Sequence, residues 1–369
     1  MSILFTPARI GTLEVPNRLV RSATGEKMCR PDGRVTPLLV EFYARLARGG
    51  VGLIITGHSF VRADGKASEG MMGVHDDAML PGLAQLVAAV HREGGRAICQ
   101  INHAGRQTRP ELLGGRRPVA PSAVTDKASG ITPRALEAQE IEALIDSYAA
   151  AARRCREAGF DGVQLHCAHG YLMSEFLSPH TNRREDGWAG SLEARARFPL
   201  EALRRIRAEQ GRAWPVLVKL NAEDFIEGGL SLAESCQAAA MLEREGADAI
   251  EVSAGMAESV DRIVRKQIDS QEKEAYFLPQ VREMRRWVAV PLICVGGLRS
   301  RPVMESVLES GAAQFVALSR PFIREPELAE KLRGGPEARA ACISCNCCGP
   351  DEAGRLACTL DLQLAKKPA

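Results

Sequence analysis

A chain of 369 residues is long enough for two average domains or for one (β/α)8 barrel with additions. With 45% hydrophobic and 25% charged residues it can bury a large core, and a formal charge of +2 provides no field that would favour nucleic acid or a membrane surface. The opening MSILFTPARIGTLEVPNR has no long apolar run behind a basic start, and no segment approaches the roughly 20 apolar residues that span a bilayer, so a cytoplasmic protein is expected.

Short β-branched runs recur along the chain at 17–23, 51–57, 96–102, 161–167, 216–221, 249–255, 291–297 and 314–320. Between them lie stretches such as LLVEFYARLARGG, LPGLAQLVAAVHREGG and SLAESCQAAAMLEREG, whose apolar positions repeat at helical spacing and which end in Gly. Continuous apolar strands alternating with helices read as a parallel sheet covered by helices, and eight such units close into a TIM (β/α)8 barrel, expected over residues 1–335. A doubly wound sheet is the weaker reading, because no GxGxxG turn follows the early strands. The stretch from Gln107 to Pro133 reads as a long loop after the third strand, and a cysteine-rich tail occupies 336–369.

Barrel chemistry sits at the carboxyl ends of the strands, so polar residues there carry the most weight. In chain order these are Ser22, Ala23 and Thr24; Gln100, Asn102 and His103; His166, His169 and Tyr171; Lys219 inside VLVKLN; Gly296 and Gly297; and Ser319 and Arg320. A strand-borne lysine needs an anion or acceptor to offset its burial. Glycines after strand seven and an arginine after strand eight suit a phosphate, through close backbone approach and a guanidinium fork, although a tight turn explains the glycines equally well. His166 and His169 with the Tyr171 phenol could polarise a carbonyl and deliver a proton; His-x2-His without a third ligand nearby matches zinc poorly.

Six cysteines, Cys29, Cys99, Cys155, Cys167, Cys236 and Cys294, are scattered and read as small buried thiols of a reducing compartment. The other five, Cys342, Cys345, Cys347, Cys348 and Cys358, crowd into the tail.

The segments NRLVRSAT, CQINHAGRQ, HCAHGYLMSEFLSPHTNRREDGWAGSLEARARF and ICVGGLRSR with ALSRPFI resemble the old yellow enzyme family of FMN oxidoreductases over nearly the whole chain. The resemblance implies an FMN-binding barrel in which NADH or NADPH reduces the flavin and the flavin reduces an activated alkene or related acceptor. By position, Ser22, Ala23 and Thr24 resemble the segment lining the flavin ring, with Thr24 or Gly25 facing its O4. Gln100 resembles the residue bonding the pyrimidine edge, Lys219 the cation near N1, and Gly57 and His58 the strand-two backbone touching the ring. Gly296, Gly297, Ser319 and Arg320 resemble the phosphate site. His166 and His169 resemble the pair holding the acceptor's carbonyl oxygen, and Tyr171 the proton donor. The resemblance implies a small-molecule substrate and allows a homo-oligomer.

The tail resembles the [4Fe–4S] motif of longer members such as dienoyl-CoA reductases and trimethylamine dehydrogenases, written C-x2-C-x3-C with a distant fourth Cys. Cys342 and Cys345 fit, but the third position falls on Gly349, so Cys348 or Cys347 substitutes, with Cys358 fourth. An iron–sulfur cluster, a zinc ion and no metal all stay open. Dienoyl-CoA reductases place a catalytic His after strand six, where this chain has Gly255, Met256 and Ala257, which argues against that activity. Two further readings are an oxidative dehydrogenase or demethylase passing electrons through the tail, and a lyase or isomerase binding a phosphorylated metabolite.

Overall fold

Each of the eight apolar runs is a strand in the computed structural model, which describes residues 2–365. They are β1 (Leu19–Arg21), β2 (Leu53–Ile55), β3 (Ala97–Asn102), β4 (Gly162–Cys167), β5 (Val216–Asn221), β6 (Ala249–Ser253), β7 (Leu292–Val295) and β8 (Phe315–Leu318). Every neighbouring pair is parallel, β8 pairs with β1, and β2 pairs with β3, so the sheet closes into a TIM barrel. The crossovers carry α1 (Pro37–Arg48), α2 (Leu80–Arg92), α3 (Ala138–Glu157), α4 (Leu192–Gln210), α5 (Leu232–Glu245), α6 (Leu278–Arg285), α7 (Arg301–Glu309) and α8 (Leu328–Arg333).

The helices begin where the sequence supplies caps. Thr36 accepts from the Leu39 N–H ahead of α1, and Ser231 with Glu234 forms a reciprocal capping box on α5. Gly246 ends α5 in the left-handed conformation that glycine adopts most cheaply.

Two apolar layers result. One lies between helices and strands; the other fills the barrel with Val20, Leu53, Ile55, Ile98, Leu217, Ile293 and Phe315. An N-terminal hairpin, Ala8–Ile10 paired with Leu13–Val15, inserts Ile10 and Val15 into that inner layer and stoppers one end of the barrel. Chemistry is left to the other end.

The described part of the tail packs onto the barrel. Arg301 N–H donates to Ala338 O, Ala340 N–H donates to Arg299 O, and Arg324 makes a two-point ion pair with Asp361 at 2.8 and 2.6 Å. Its centre is an antiparallel ribbon, Cys348–Pro350 against Leu356–Cys358, whose register sets Cys348 opposite Cys358. Among the described residues no helix is long and apolar enough to cross a membrane.

Candidate active site

The floor of the mouth is a buried polar chain. Lys219 Nζ lies 2.9 Å from Glu251 Oε1 and 3.0 Å from Ser22 Oγ, and Ser22 donates to Glu251 at 2.5 Å. The other Glu251 oxygen accepts from Gln164 Nε2 at 2.9 Å, and Gln164 Oε1 accepts from Gln100 Nε2 at 2.7 Å. Strands β1, β3, β4, β5 and β6 are thus joined by side chains through one network, in which each charge has a partner. Lys219 and Gln100 were candidates from the sequence. Glu251 and Gln164 were missed, although an acid inside AIEVSAG is as anomalous as the lysine inside VLVKLN.

Beside this floor stand the rings. His166, at the end of β4, has its ring centroid 5.3 Å from that of His169 and 5.0 Å from that of Tyr171. His169 has φ +65°, uncommon for a non-glycine residue, and the turn is held by its N–H donating to Asn221 Oδ1 and its carbonyl accepting from Gln107 Nε2. His169 Nε2 also meets Ser253 Oγ at 2.7 Å. Burial, reinforced by nearby positive charge including Lys219, holds both imidazoles well below their ordinary range, so each is neutral and offers one N–H. His166 Nδ1 is buried without a partner among the described residues. Burial pushes the Tyr171 phenol up to about 12, keeping its proton in place.

His58 stands with these rings. Its ring faces Tyr171, with centroids 5.0 Å apart, and its Nδ1 meets Asn102 Nδ2 at 3.0 Å. Burial and the Lys27 charge bring it down to about 4. The adjacent Gly57 N–H is already shared by Tyr43 Oη at 2.8 Å and Glu26 Oε1 at 3.1 Å. Strand two therefore presents a side chain to the mouth as well as backbone.

On the other flank opens a cavity of about 270 Å3 lined by Ser22, Ala23, Thr24, Lys219, Gly296, Gly297, Ser319 and Arg320. The Thr24 and Ser319 hydroxyls are hydrogen-bonded to each other in its wall. Gly296 and Gly297 have φ +128° and +72°, and a Cβ on either would come within 3.0 Å of the Tyr276 ring. Only glycine fits that close approach. Tyr276, with the segment carrying Ile263 and Val264, also lines this cavity and was not a sequence candidate.

The loops around the mouth are clamped. Arg106 Nη2 lies 2.8 Å from Glu258 Oε1, and His180 Nε2 lies 3.1 Å from Glu258 Oε2, tying together the segments after β3, β4 and β6. Beneath the clamp, Glu175 accepts from the Arg106 N–H at 2.8 Å through one oxygen while the other has no partner among the described residues. Burial raises this carboxyl from 4.5 to about 8, so the folded chain binds a proton there that the unfolded chain releases. Its stabilising effect is complete below the ordinary carboxylate pKa and fades as pH rises through about 8. Glu175→Gln is therefore expected to flatten the loss of stability across that window, which in the native chain reaches at most ~1.4 kcal/mol per pH unit. Urea midpoints measured across the window check this; parallel curves for the two proteins would refute it.

In the tail, Cys342, Cys345, Cys348 and Cys358 line one small cavity together with Arg320 and Asn346, while Cys347 is exposed. The ribbon register thus brings Cys348, not Cys347, to the other three. Burial raises the Cys348 thiol to about 11 and also raises Cys342. Among the described residues no three His, Cys, Asp or Glu side chains converge closely enough to hold a metal ion.

A family model for NADH:flavin oxidoreductases and NADH oxidases matches residues 3–338. The chain belongs to the NADH:flavin oxidoreductase / NADH oxidase family. It is 40% identical over 347 residues to an NADH oxidase from Thermoanaerobacter brockii, covering 93% of this chain and 52% of that protein. Among solved structures it resembles a 2-naphthoyl-CoA reductase bound to 2-naphthoyl-CoA, with a TM-score of 0.86 and 31% identity, over 92% of this chain and 53% of the other. It also resembles a morphinone reductase in complex with tetrahydroNAD, with a TM-score of 0.77 and 30% identity, over 95% of this chain and 93% of the other. The chain thus spans about half the length of the first two relatives and nearly all of the third.

The FMN that this family implies suits the residues present. The Gly296–Gly297 turn leaves no room for side chains, and Arg320 and Lys219 line the same cavity. The unpartnered His166 Nδ1 leaves the ring cluster beside the cavity with hydrogen-bonding capacity to spare.

Proposed function

We propose that this chain is an FMN-dependent NAD(P)H oxidoreductase that reduces the C=C bond of activated alkenes such as enones. The observation carrying the proposal is the gathering of two neutral imidazoles and a protonated phenol beside a cavity lined by the Lys219 cation, a Gly-Gly turn and Arg320. Gly296, Gly297, Ser319 and Arg320 would hold the FMN phosphate, Ser22, Ala23 and Thr24 would border its ring, and Lys219 and Gln100 would meet the ring's polar edge. FMN, reduced by NADH or NADPH, supplies the hydride for the alkene carbon beta to the carbonyl. His166 and His169 hold the carbonyl oxygen, where their N–H groups oppose charge that grows as the reaction proceeds. Tyr171 delivers the proton to the alpha carbon, and solvent restores it.

Similarity to chains named as reductases supports the direction of reaction. Purified protein is expected to absorb in the visible as a flavoprotein, to bleach on anaerobic addition of NADH or NADPH, and to regain its colour when cyclohexenone is added. A colourless protein would return the phosphorylated-metabolite reading. A flavoprotein that NAD(P)H bleaches but no enone recolours would leave the dehydrogenase reading ahead.

The cysteine cavity is proposed as the place of a thiolate-bound iron–sulfur cluster or zinc ion, with Cys342, Cys345, Cys348 and Cys358 as ligands. Iron and zinc analysis of the same anaerobic preparation decides between them and an empty tail.

A further inference from the structure

We infer that Asn346, in the cysteine-rich tail, is a positioning residue that aims the Arg320 guanidinium at an oxyanion in the mouth cavity, an inference that rests on the flavin reading above. Arg320 borders both the mouth cavity and the cysteine cavity, so it sits in the wall between them. Its Nη1 donates to Arg265 O at 3.0 Å and to Asn346 Oδ1. Asn346 Nδ2 in turn donates to Val264 O at 3.0 Å, which fixes the amide's orientation and ties it to the segment covering the phosphate end. Ser344, two residues earlier, borders the mouth cavity itself and accepts from the Gln267 N–H. Both Ser344 and Asn346 have positive φ, +56° and +61°, the left-handed backbone that Asn tolerates better than most residues.

Arg324, at the other end of the short helix Arg320–Arg324, shows what this arrangement avoids. Its Nε and Nη2 are both taken by the Asp361 carboxylate, so its charge is neutralised within the protein. Arg320 is held instead by a neutral amide and a carbonyl, through Nη1 alone, and makes no ion pair among the described residues. Its Nε and Nη2 form the edge of the fork that donates two parallel hydrogen bonds, and that edge has no protein acceptor among the described residues. An amide at position 346 therefore orients the cation without spending its charge. A carboxylate there would orient it and cancel it. The group that matches an orphaned guanidinium edge beside a Gly-Gly turn is a phosphate monoester dianion.

The test uses the full chain stripped of flavin and titrated with FMN and, separately, with riboflavin, which lacks the phosphate; quenching of flavin fluorescence gives both Kd values. Asn346→Gly removes the amide but keeps the left-handed backbone available, and it is expected to weaken FMN about tenfold while leaving riboflavin within about twofold. Asn346→Asp, the same size, is expected to weaken FMN at least as much and riboflavin little, and it keeps the question open to measurement if the glycine variant does not fold. Equal weakening of both flavins, or no weakening of FMN, overturns the positioning role while the flavin reading stands. A native chain that binds neither flavin overturns both.

Discussion

Lys219→Met is expected to destabilise the protein by ~3–5 kcal/mol, the range found when one partner of a buried ion pair is removed. Lys219 and Glu251 are 4% and 0% exposed in their side chains, and Nζ stands 2.9 Å from Oε1. Methionine fills the lysine's volume, so packing changes little and the cost falls on the carboxylate. Ser22 and Gln164 would still donate to Glu251, but no cation would face it. The double variant Lys219→Met with Glu251→Gln removes both charges and is expected to recover most of the loss, since a neutral pair in the same space needs no counter-charge. Denaturant midpoints of the flavin-free proteins give the comparison. Should the single variant be as stable as the double one, the pair is not the source of the floor's stability.

Tyr171→Phe is expected to slow reoxidation by cyclohexenone by about 10²- to 10⁴-fold, the contribution of a positioned general acid, and to leave reduction by NAD(P)H nearly unchanged. Phenylalanine preserves the ring that packs 5.0 Å from both His58 and His166, so the imidazoles keep their places and only the proton is lost. Rapid mixing separates the half-reactions. Equal slowing of both would remove Tyr171 from the proton-donor role.

The barrel was readable because a parallel strand buried on both faces must be a continuous apolar run, and all eight runs became strands with trimmed ends. The strand-borne part of the site was readable for the same reason: polar residues such as Lys219, Gln100 and His166 interrupt patterns that are otherwise apolar. Glu251 and Gln164 sent the same signal and were overlooked. What the pattern could not carry was anything contributed by loops: Tyr276 lines the mouth from the segment following β6, and Asn346 meets Arg320 in its wall from the segment following α8. His58 shows the limit within a single turn, since nothing in the pattern told that its ring would meet Tyr171. Which of Cys347 and Cys348 shares the small cavity with the other three cysteines depends on ribbon register, which shifts by face with every residue.

The hairpin that seats Ile10 and Val15 in the base of the barrel also has a bearing on traffic. With that end stoppered by apolar side chains, the floor where Lys219, His166 and Tyr171 gather opens at the other end, framed by the loops that Glu258 ties together. Under the reading proposed above, a hydride donor and an acceptor that both need the same few ångströms over that floor would enter in turn, the second after the first has left.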